Sequence, residues 1–365
     1  MSKPIVAPFH DGTKCLVRDI ASNLTRVRPV VMGTRGGARA EGPWDVSRVY
    51  GAAGHFAPSL AENVRAALWL VTRSDADLWH FVFAPNPRTS EVGRWLRRLR
   101  RKPVVQTVAS PPRDMSRPSK LLFGDVVVAQ SRWTADSLRR SAEREGLALP
   151  RFEVIPPPVP HIPARSDEAV RDVLAALDLR PGAPLFVYPG DLEVSGGAEM
   201  VARMVTPLCD SVPDARVVFA YRDKTPRASQ VAHELAARLD PARVRFTKHL
   251  RDVLALIQPA TAVLFPVDDL WGKVDLPIVL LESMALGVPV LALDEGPLRD
   301  LEGARLLPKD ERAWLEAARA LVERPHERRA LAEAERDAVE KRYRAPRVAA
   351  RYESLYLELL AARRR

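Results

Sequence analysis

The sequence predicts an α/β protein built from two doubly wound parallel sheets, one in each half of the chain. Three observations carry that expectation. The 365 residues, 47% apolar and 28% charged, exceed one small core and suit two domains. Short runs rich in Val, Ile and Phe alternate with longer amphipathic stretches, which is the pattern of βαβ units. Between the halves, Ile155-Pro-Pro-Pro-Val-Pro-His-Ile-Pro163 places five prolines in nine residues. Proline fixes φ and has no backbone donor, so this stretch joins neither a helix interior nor a central strand and marks the boundary.

In order, the first half offers strands at 4–7, 29–32, 78–83, 104–107, 125–129 and 152–155, each a short apolar run of which Val126-Val-Val-Ala129 is the most continuous. Helices are expected between them at 59–72, 91–101 and 134–145. The second half repeats the pattern, with strands at 185–189, 216–220, 244–247, 262–266 and 288–293. Its helices fall at 198–208, 227–239, 252–257 and 278–286. Three helical stretches rich in Ala, Leu, Glu and Arg close the chain at 310–323, 327–343 and 347–363. In the last, Val348, Tyr352, Leu355, Tyr356 and Leu359 recur at helical spacing and form one apolar stripe. Ligands of such sheets bind at the carboxyl ends of the strands.

The net charge of +10 is unevenly placed. Residues 1–160 hold 25 Lys and Arg against 14 Asp and Glu, and residues 161–365 hold 31 against 32. The first half therefore faces something anionic. No helix-turn-helix, zinc or aromatic-basic signature accompanies the charge, which argues against nucleic acid as the partner. The start, MSKPIVAPFH, lacks the apolar core of a signal peptide, and no run approaches the ~18 apolar residues of a membrane span. The expected location is the cytoplasm. Cys15 and Cys209 show no metal or redox spacing and read as buried small hydrophobes.

Two stretches carry chemistry. In Val187-Tyr-Pro-Gly-Asp-Leu-Glu-Val-Ser-Gly-Gly-Ala-Glu-Met200, a strand turns at Gly190, and Ser195-Gly196-Gly197 opens a helix. Free amides and the helix dipole make an anion site there, and glycines let a phosphate approach. The same residues also suit a tight turn capped by Ser195. In Asp268-Asp-Leu-Trp-Gly-Lys-Val-Asp-Leu-Pro-Ile-Val-Leu-Leu-Glu-Ser-Met-Ala-Leu-Gly-Val-Pro-Val290, polar Lys273 and Asp275 precede an apolar helix bearing one carboxylate, Glu282. Burying a lone carboxylate is costly, so Glu282 faces a ligand or a hydrogen-bond network. Asp268-Asp269 reads as a solvated loop rather than a metal motif.

At these stretches the chain resembles the retaining glycosyltransferases of family 4, whose architecture is GT-B, two Rossmann-like domains facing a cleft. Glu282-Ser-Met-Ala-Leu-Gly-Val-Pro-Val290 is similar to the segment beginning at the later Glu of that family's E-x7-E region. Gly190, Leu192 and Gly197 fit its G-R-L-x-x-x-K-G loop. Gly124-Asp-Val-Val-Val-Ala-Gln-Ser131, Phe152-Glu-Val-Ile-Pro156 and Tyr352-x-x-Leu-Tyr356 agree as well. The resemblance implies an acceptor domain at 1–158, a nucleotide-sugar domain at 159–345 and a final helix, 346–365, packing back on the first domain.

It also implies transfer of a sugar, with retention and without a metal or other cofactor, from a nucleotide-diphosphate sugar to an acceptor hydroxyl. The family offers no protein nucleophile, so catalysis rests on placing the reactants and stabilising the developing phosphate charge. Glu282 would bond the ribose, and Gly12, in His10-Asp11-Gly12-Thr13, would lie near the donor phosphates. His80, in Asp77-Leu-Trp-His80, resembles a D-x-x-H element on the acceptor side; a lone histidine of this kind can also be structural. Three departures stand out. The family's first Glu falls at Val274, and its loop Arg and Lys fall at Asp191 and Gly196. Lys273 or Arg222 is the expected replacement for phosphate charge, and Asp275 for the sugar hydroxyls. The alternative is a non-catalytic GT-B-like protein, or a partner subunit, that binds a nucleotide or glycan. Finally, Gly93-Arg-Trp-Leu-Arg-Arg-Leu-Arg-Arg-Lys-Pro103 has the composition of helices that lie on anionic membranes, as well as that of an ordinary surface helix in an Arg-rich chain. An anionic acceptor or the inner leaflet of the membrane is the partner this suggests. Oligomeric state is not legible.

Overall fold

A computed structural model describes residues 4–5, 9, 11–34, 42–51, 59–223, 225–248 and 250–364. The chain forms two compact units. Unit 1 comprises Met1–Pro160, Trp271–Ile278 and Arg342–Arg365, and unit 2 comprises His161–Leu270 and Val279–Lys341.

Unit 1 holds α1 (Gly12–Ala21), β1 (Val30–Thr34), β2 (Asp45–Tyr50), α2 (Leu60–Thr72), β3 (Trp79–Phe83), α3 (Pro87–Arg100), β4 (Val104–Val108), α4 (Pro118–Leu121), β5 (Val126–Ala129), α5 (Arg132–Arg144) and β6 (Arg151–Val154). Strands β3-β4-β5-β6 form a parallel sheet in that order, and β1 pairs β2 in a separate parallel ribbon. β4 and β5 are buried along their whole length, as strands covered on both faces must be. Of the strand expected at 4–7, Ile5 donates to the Met32 carbonyl at 2.8 Å, while residues 6 and 7 lie outside the described residues.

Unit 2 holds α6 (Asp167–Ala176), β7 (Leu185–Tyr188), α7 (Gly197–Ser211), β8 (Arg216–Tyr221), α8 (Arg227–Ala236), β9 (Val244–Lys248), α9 (Val253–Ile257), β10 (Ala262–Phe265), α10 (Ile278–Leu286), β11 (Val290–Leu293), β12 (Arg305–Leu307), α11 (Glu311–Glu323) and α12 (Pro325–Ala338). Its parallel sheet runs β12-β11-β10-β7-β8-β9.

The last helix, α13 (Ala345–Arg364), belongs to unit 1. Its stripe of Val348, Tyr352, Leu355 and Tyr356 packs with Leu16 and Ile20 of α1, Val82, Val105, Val126 and Ile155. The proline-rich connection is fixed where it leaves unit 1. Val159 donates to the Tyr343 carbonyl at 2.7 Å and accepts from Ala345 at 2.9 Å, so outgoing and returning chain run side by side.

One buried charge is unusual. Glu335 on α12 is fully buried; Oε1 accepts the Val290 N–H at 2.8 Å, and Oε2 has no partner among the described residues. Burial pushes its carboxyl well above the usual 4.5, and the single backbone donor only partly offsets this. Below that value folded and unfolded chains both hold the proton. As pH rises above it, the unfolded chain ionises first and stability falls by up to about 1.4 kcal/mol per pH unit. Glu335→Gln is therefore expected to raise Tm at pH 8 and to change it little at pH 4. An equal change at both pH values would contradict this account.

Candidate functional site

The strand order of unit 2 reverses between β7 and β10. The chain leaves β7 through α7 toward β8 and β9, and leaves β10 through α10 toward β11 and β12. All pairs are parallel, so the loops after β7 and β10 meet at the switch point where open sheets bind ligands.

Local chemistry shapes the first loop. Tyr188 folds its ring beneath Gly190 and donates from its hydroxyl to the Asp191 carbonyl at 2.7 Å; a Cβ at Gly190 would run into the ring. Asp191, where the family has Arg, is buried, and its carboxylate accepts from Val194 N–H at 3.2 Å. The aspartate therefore builds the turn. Ser195 Oγ accepts weakly from Gly197 N–H at 3.4 Å. A Cβ on Gly197 would sit 3.0 Å from the Pro266 carbonyl, so α7 starts hard against the end of β10. The loop after β10 then supplies Asp268. Its Oδ1 accepts the Gly196 N–H at 2.9 Å, and its Oδ2 pairs with Lys309 Nζ at 2.6 Å. Burial works against the charge on Asp268, yet Lys309 and the Gly196 amide outweigh it and hold the carboxyl below its ordinary range. Glu282 is half-buried on α10, whose neighbours Leu280, Leu281, Ser283 and Met284 are buried. Arg222 is exposed just past the carboxyl end of β8, beside β7. In unit 2, Gly190, Ser195, Gly196 and Gly197 lie between β7 and the start of α7, Arg222 follows β8, and Glu282 lies in α10, which follows β10.

The remaining predicted residues lie in unit 1, and two of them are held by hydrogen bonds within it. His80, expected at the acceptor side, has both ring nitrogens engaged: Nε2 with Thr107 Oγ1 and Nδ1 with the Tyr356 hydroxyl, each at 2.7 Å. Burial lowers its pKa to about 3, so it stays neutral. A neutral imidazole has one donor and one acceptor, and both here join β3 and β4 to α13. Asp275, expected to meet sugar hydroxyls, is fully buried and accepts the Ser131 hydroxyl at 2.6 Å. Ser131 in turn caps α5 through Thr134 N–H at 3.1 Å. With Trp271 stacked under the Arg113 guanidinium at 4.1 Å, this bond explains why 271–278 belongs to unit 1 rather than to the domain expected at 159–345.

Lys273 is half-buried in the same segment, and a Cβ on Gly12 would come within 3.3 Å of Val274. Beside Gly12, Asp11 caps α1 by accepting from Thr13 and Lys14 N–H at 3.0 and 3.3 Å, so those amides are already used. His10 lies outside the described residues. Asp268, read from sequence as part of a solvated loop, instead ties this loop to Gly196 and Lys309, and Lys309 was not singled out. The available signal was an acidic residue soon after a strand end, opposite a glycine-opened helix. Among the described residues, no cluster of His, Cys, Asp or Glu is arranged to hold a metal ion.

Two Rossmann-like units with parallel sheets, the second with a glycine-opened helix at its switch point, give the GT-B fold, and solved structures of that class share it. Sucrose-phosphate synthase from Thermosynechococcus elongatus matches with a TM-score of 0.78 at 18% identity, covering 99% of this chain and 98% of that one. HepE of Anabaena, solved with UDP and glucose, matches at 0.72 and 15% identity over 96% and 97%. A glycosyltransferase from Rickettsia africae matches at 0.75 and 14% over 98% and 97%. Curated proteins give no sequence match. Residues 183–324 match the family model of glycosyl transferases group 1.

Proposed function

We propose that the protein transfers a sugar, with retention of configuration and without a metal, from a nucleotide-diphosphate sugar to an acceptor hydroxyl. The observation that carries this reading is the start of α7, with Gly196 and Gly197 at the switch point of a sheet inside the group 1 glycosyltransferase match. The donor's phosphates would lie on that helix end, where amides and dipole favour anions. Glu282 would hold the ribose hydroxyls, and Arg222 would meet the outer phosphate. HepE, solved with UDP-glucose, supports a uridine donor as the first to test. Isothermal titration with UDP and a panel of UDP-sugars, followed by donor hydrolysis, tests the reading. Binding with turnover is expected. Binding without turnover would favour the non-catalytic alternative, which the acidic Asp191 and Asp268 in the loops after β7 and β10 also suit, and no binding would reject both.

On the acceptor side, we propose contact with an anionic membrane surface. No helix among the described residues is long and apolar enough to cross a membrane. Neighbouring helices α2 and α3, however, expose Leu60, Val64, Leu68, Trp95 and Leu99, with Leu60 at 82% and Trp95 at 53%. Across residues 87–102, seven Arg and Lys stand against one Glu. Apolar side chains among cations suit a headgroup layer, each basic residue near it contributing about 1 kcal/mol. Flotation with phosphatidylglycerol vesicles is expected to be salt-sensitive and to fall several-fold in a Trp95→Ser, Leu99→Ser double variant. Equal flotation with neutral phosphatidylcholine vesicles would contradict the electrostatic part of this reading.

A further inference from the structure

The loop before α7 lacks both cations expected of a diphosphate site, since Asp191 and Gly196 stand in their places. The structure puts one cation at the helix start from elsewhere. Lys309, two residues beyond β12, pairs with Asp268 at 2.6 Å, and the other oxygen of the same carboxylate accepts the Gly196 N–H. One carboxylate therefore occupies, in a single geometry, both an amide and a cation that a phosphate at this helix end would use. Gly196 makes the approach possible: a Cβ there would lie 3.1 Å from Asp268 Oδ2. The contact is not locked, because the Lys309 side chain remains 53% exposed and both residues can turn to water.

We propose that Asp268 is a built-in competitor for the donor's phosphate and that Lys309 is the positioning cation of the diphosphate. In the unliganded protein Asp268 holds the Gly196 N–H and the Lys309 ammonium. When the donor binds, a phosphate oxygen takes both and the carboxylate turns outward. This rests on the donor site proposed above and adds two residues to it. Removing the competitor alone leaves amide and ammonium for the ligand, whereas removing the ammonium takes a partner from carboxylate and ligand alike.

The consequence separates competition from a purely structural tie. If Asp268 merely fastened the β10 loop to α7, its loss would loosen the site and weaken binding. If it competes, its loss strengthens binding. The test is isothermal titration of inorganic pyrophosphate and of UDP into the full chain, comparing wild type with Asp268→Asn, Asp268→Ser, Lys309→Met, Lys309→Arg and the Asp268→Asn, Lys309→Met double variant, with thermal unfolding of each to confirm the fold.

Removing one carboxylate from an anion site is expected to tighten both ligands about tenfold in Asp268→Asn and Asp268→Ser. Lys309→Met should lose about as much, Lys309→Arg should retain most of the affinity, and the double variant should forfeit the gain of Asp268→Asn. Unchanged or weaker binding in both Asp268 variants, with wild type still binding UDP, would overturn the competitor while leaving the donor site in place. If neither wild type nor the Asp268 variants bound UDP or pyrophosphate, this proposal and the donor site would fall together.

Discussion

Glu353→Ala is expected to destabilise unit 1 by about 3 kcal/mol. Glu353 lies on α13 with its side chain only 4% exposed. Its carboxylate accepts N–H groups from Thr25, Arg26 and Val27 at 2.7, 2.5 and 3.1 Å and the Thr25 hydroxyl at 3.0 Å. These donors belong to the turn between α1 and β1, so one side chain docks the last helix onto the first. Truncation leaves three backbone donors without that acceptor; an unsatisfied group costs about 1–3 kcal/mol when fully buried, and at Thr25 and Arg26, which are exposed, water takes up part of the loss. Burial opposes the charge, but the Arg26 and Thr25 donors overcome it and hold the carboxyl down at about 2. A depressed folded-state value means the stabilisation is complete above the unfolded value of 4.5 and disappears as pH falls toward about 2. The pH-linked part amounts to about 3 kcal/mol. Urea unfolding at pH 7 should show the full loss in Glu353→Ala, and the difference from wild type should narrow across that acid range. A constant difference down to pH 2 would mean that packing, not the carboxylate, is what Glu353 contributes.

Glu282→Ala is expected to lower UDP affinity about a hundredfold while changing stability by less than about 1 kcal/mol. Glu282 is the one ionisable residue of α10, a helix otherwise made of Ile, Val, Leu, Ser, Met and Ala. A carboxylate accepting from two ribose hydroxyls makes two charge-assisted bonds, each worth about 1.5–3 kcal/mol. Glu282→Gln retains an acceptor and should fall between. Titration calorimetry on the three proteins decides the matter, and unchanged affinity in Glu282→Ala would remove Glu282 from the site.

Much of the fold was readable because buried parallel strands and amphipathic helices leave plain patterns. The helix expected at 278–286 is observed as Ile278–Leu286, and the apolar stripe of the last helix is the face that packs on unit 1. What the pattern hid was local or distant in sequence. α1 opens with Gly12 and Thr13, weak helix formers, and depends on the Asp11 cap. β2, Asp45-Val-Ser-Arg-Val-Tyr50, carries polar residues through an edge ribbon and gives no apolar run. β12 has only three residues.

At the site, Gly190, Gly196, Gly197 and Glu282 stood out because glycines before a helix and a carboxylate in an apolar helix are local anomalies. Asp275 and His80 make hydrogen bonds that the sequence could not show, for the opposite reason. Their partners, Ser131 and Tyr356, lie 144 and 276 residues away, and no spacing rule announces a hydrogen bond across that distance. Lys309 stayed hidden in the same way, 41 residues from Asp268.

The docking of α13 through Glu353 also sets an order of events during synthesis. Domains ordinarily complete themselves in the order in which they leave the ribosome. Here unit 1 is begun first but lacks its closing helix until residues 342–365 have been made, whereas unit 2 has all its strands and helices by Lys341. The domain started second is thus finished first. Until the last helix arrives, the nascent first domain presents Leu16, Val82, Val105 and Val126 with their covering stripe still missing.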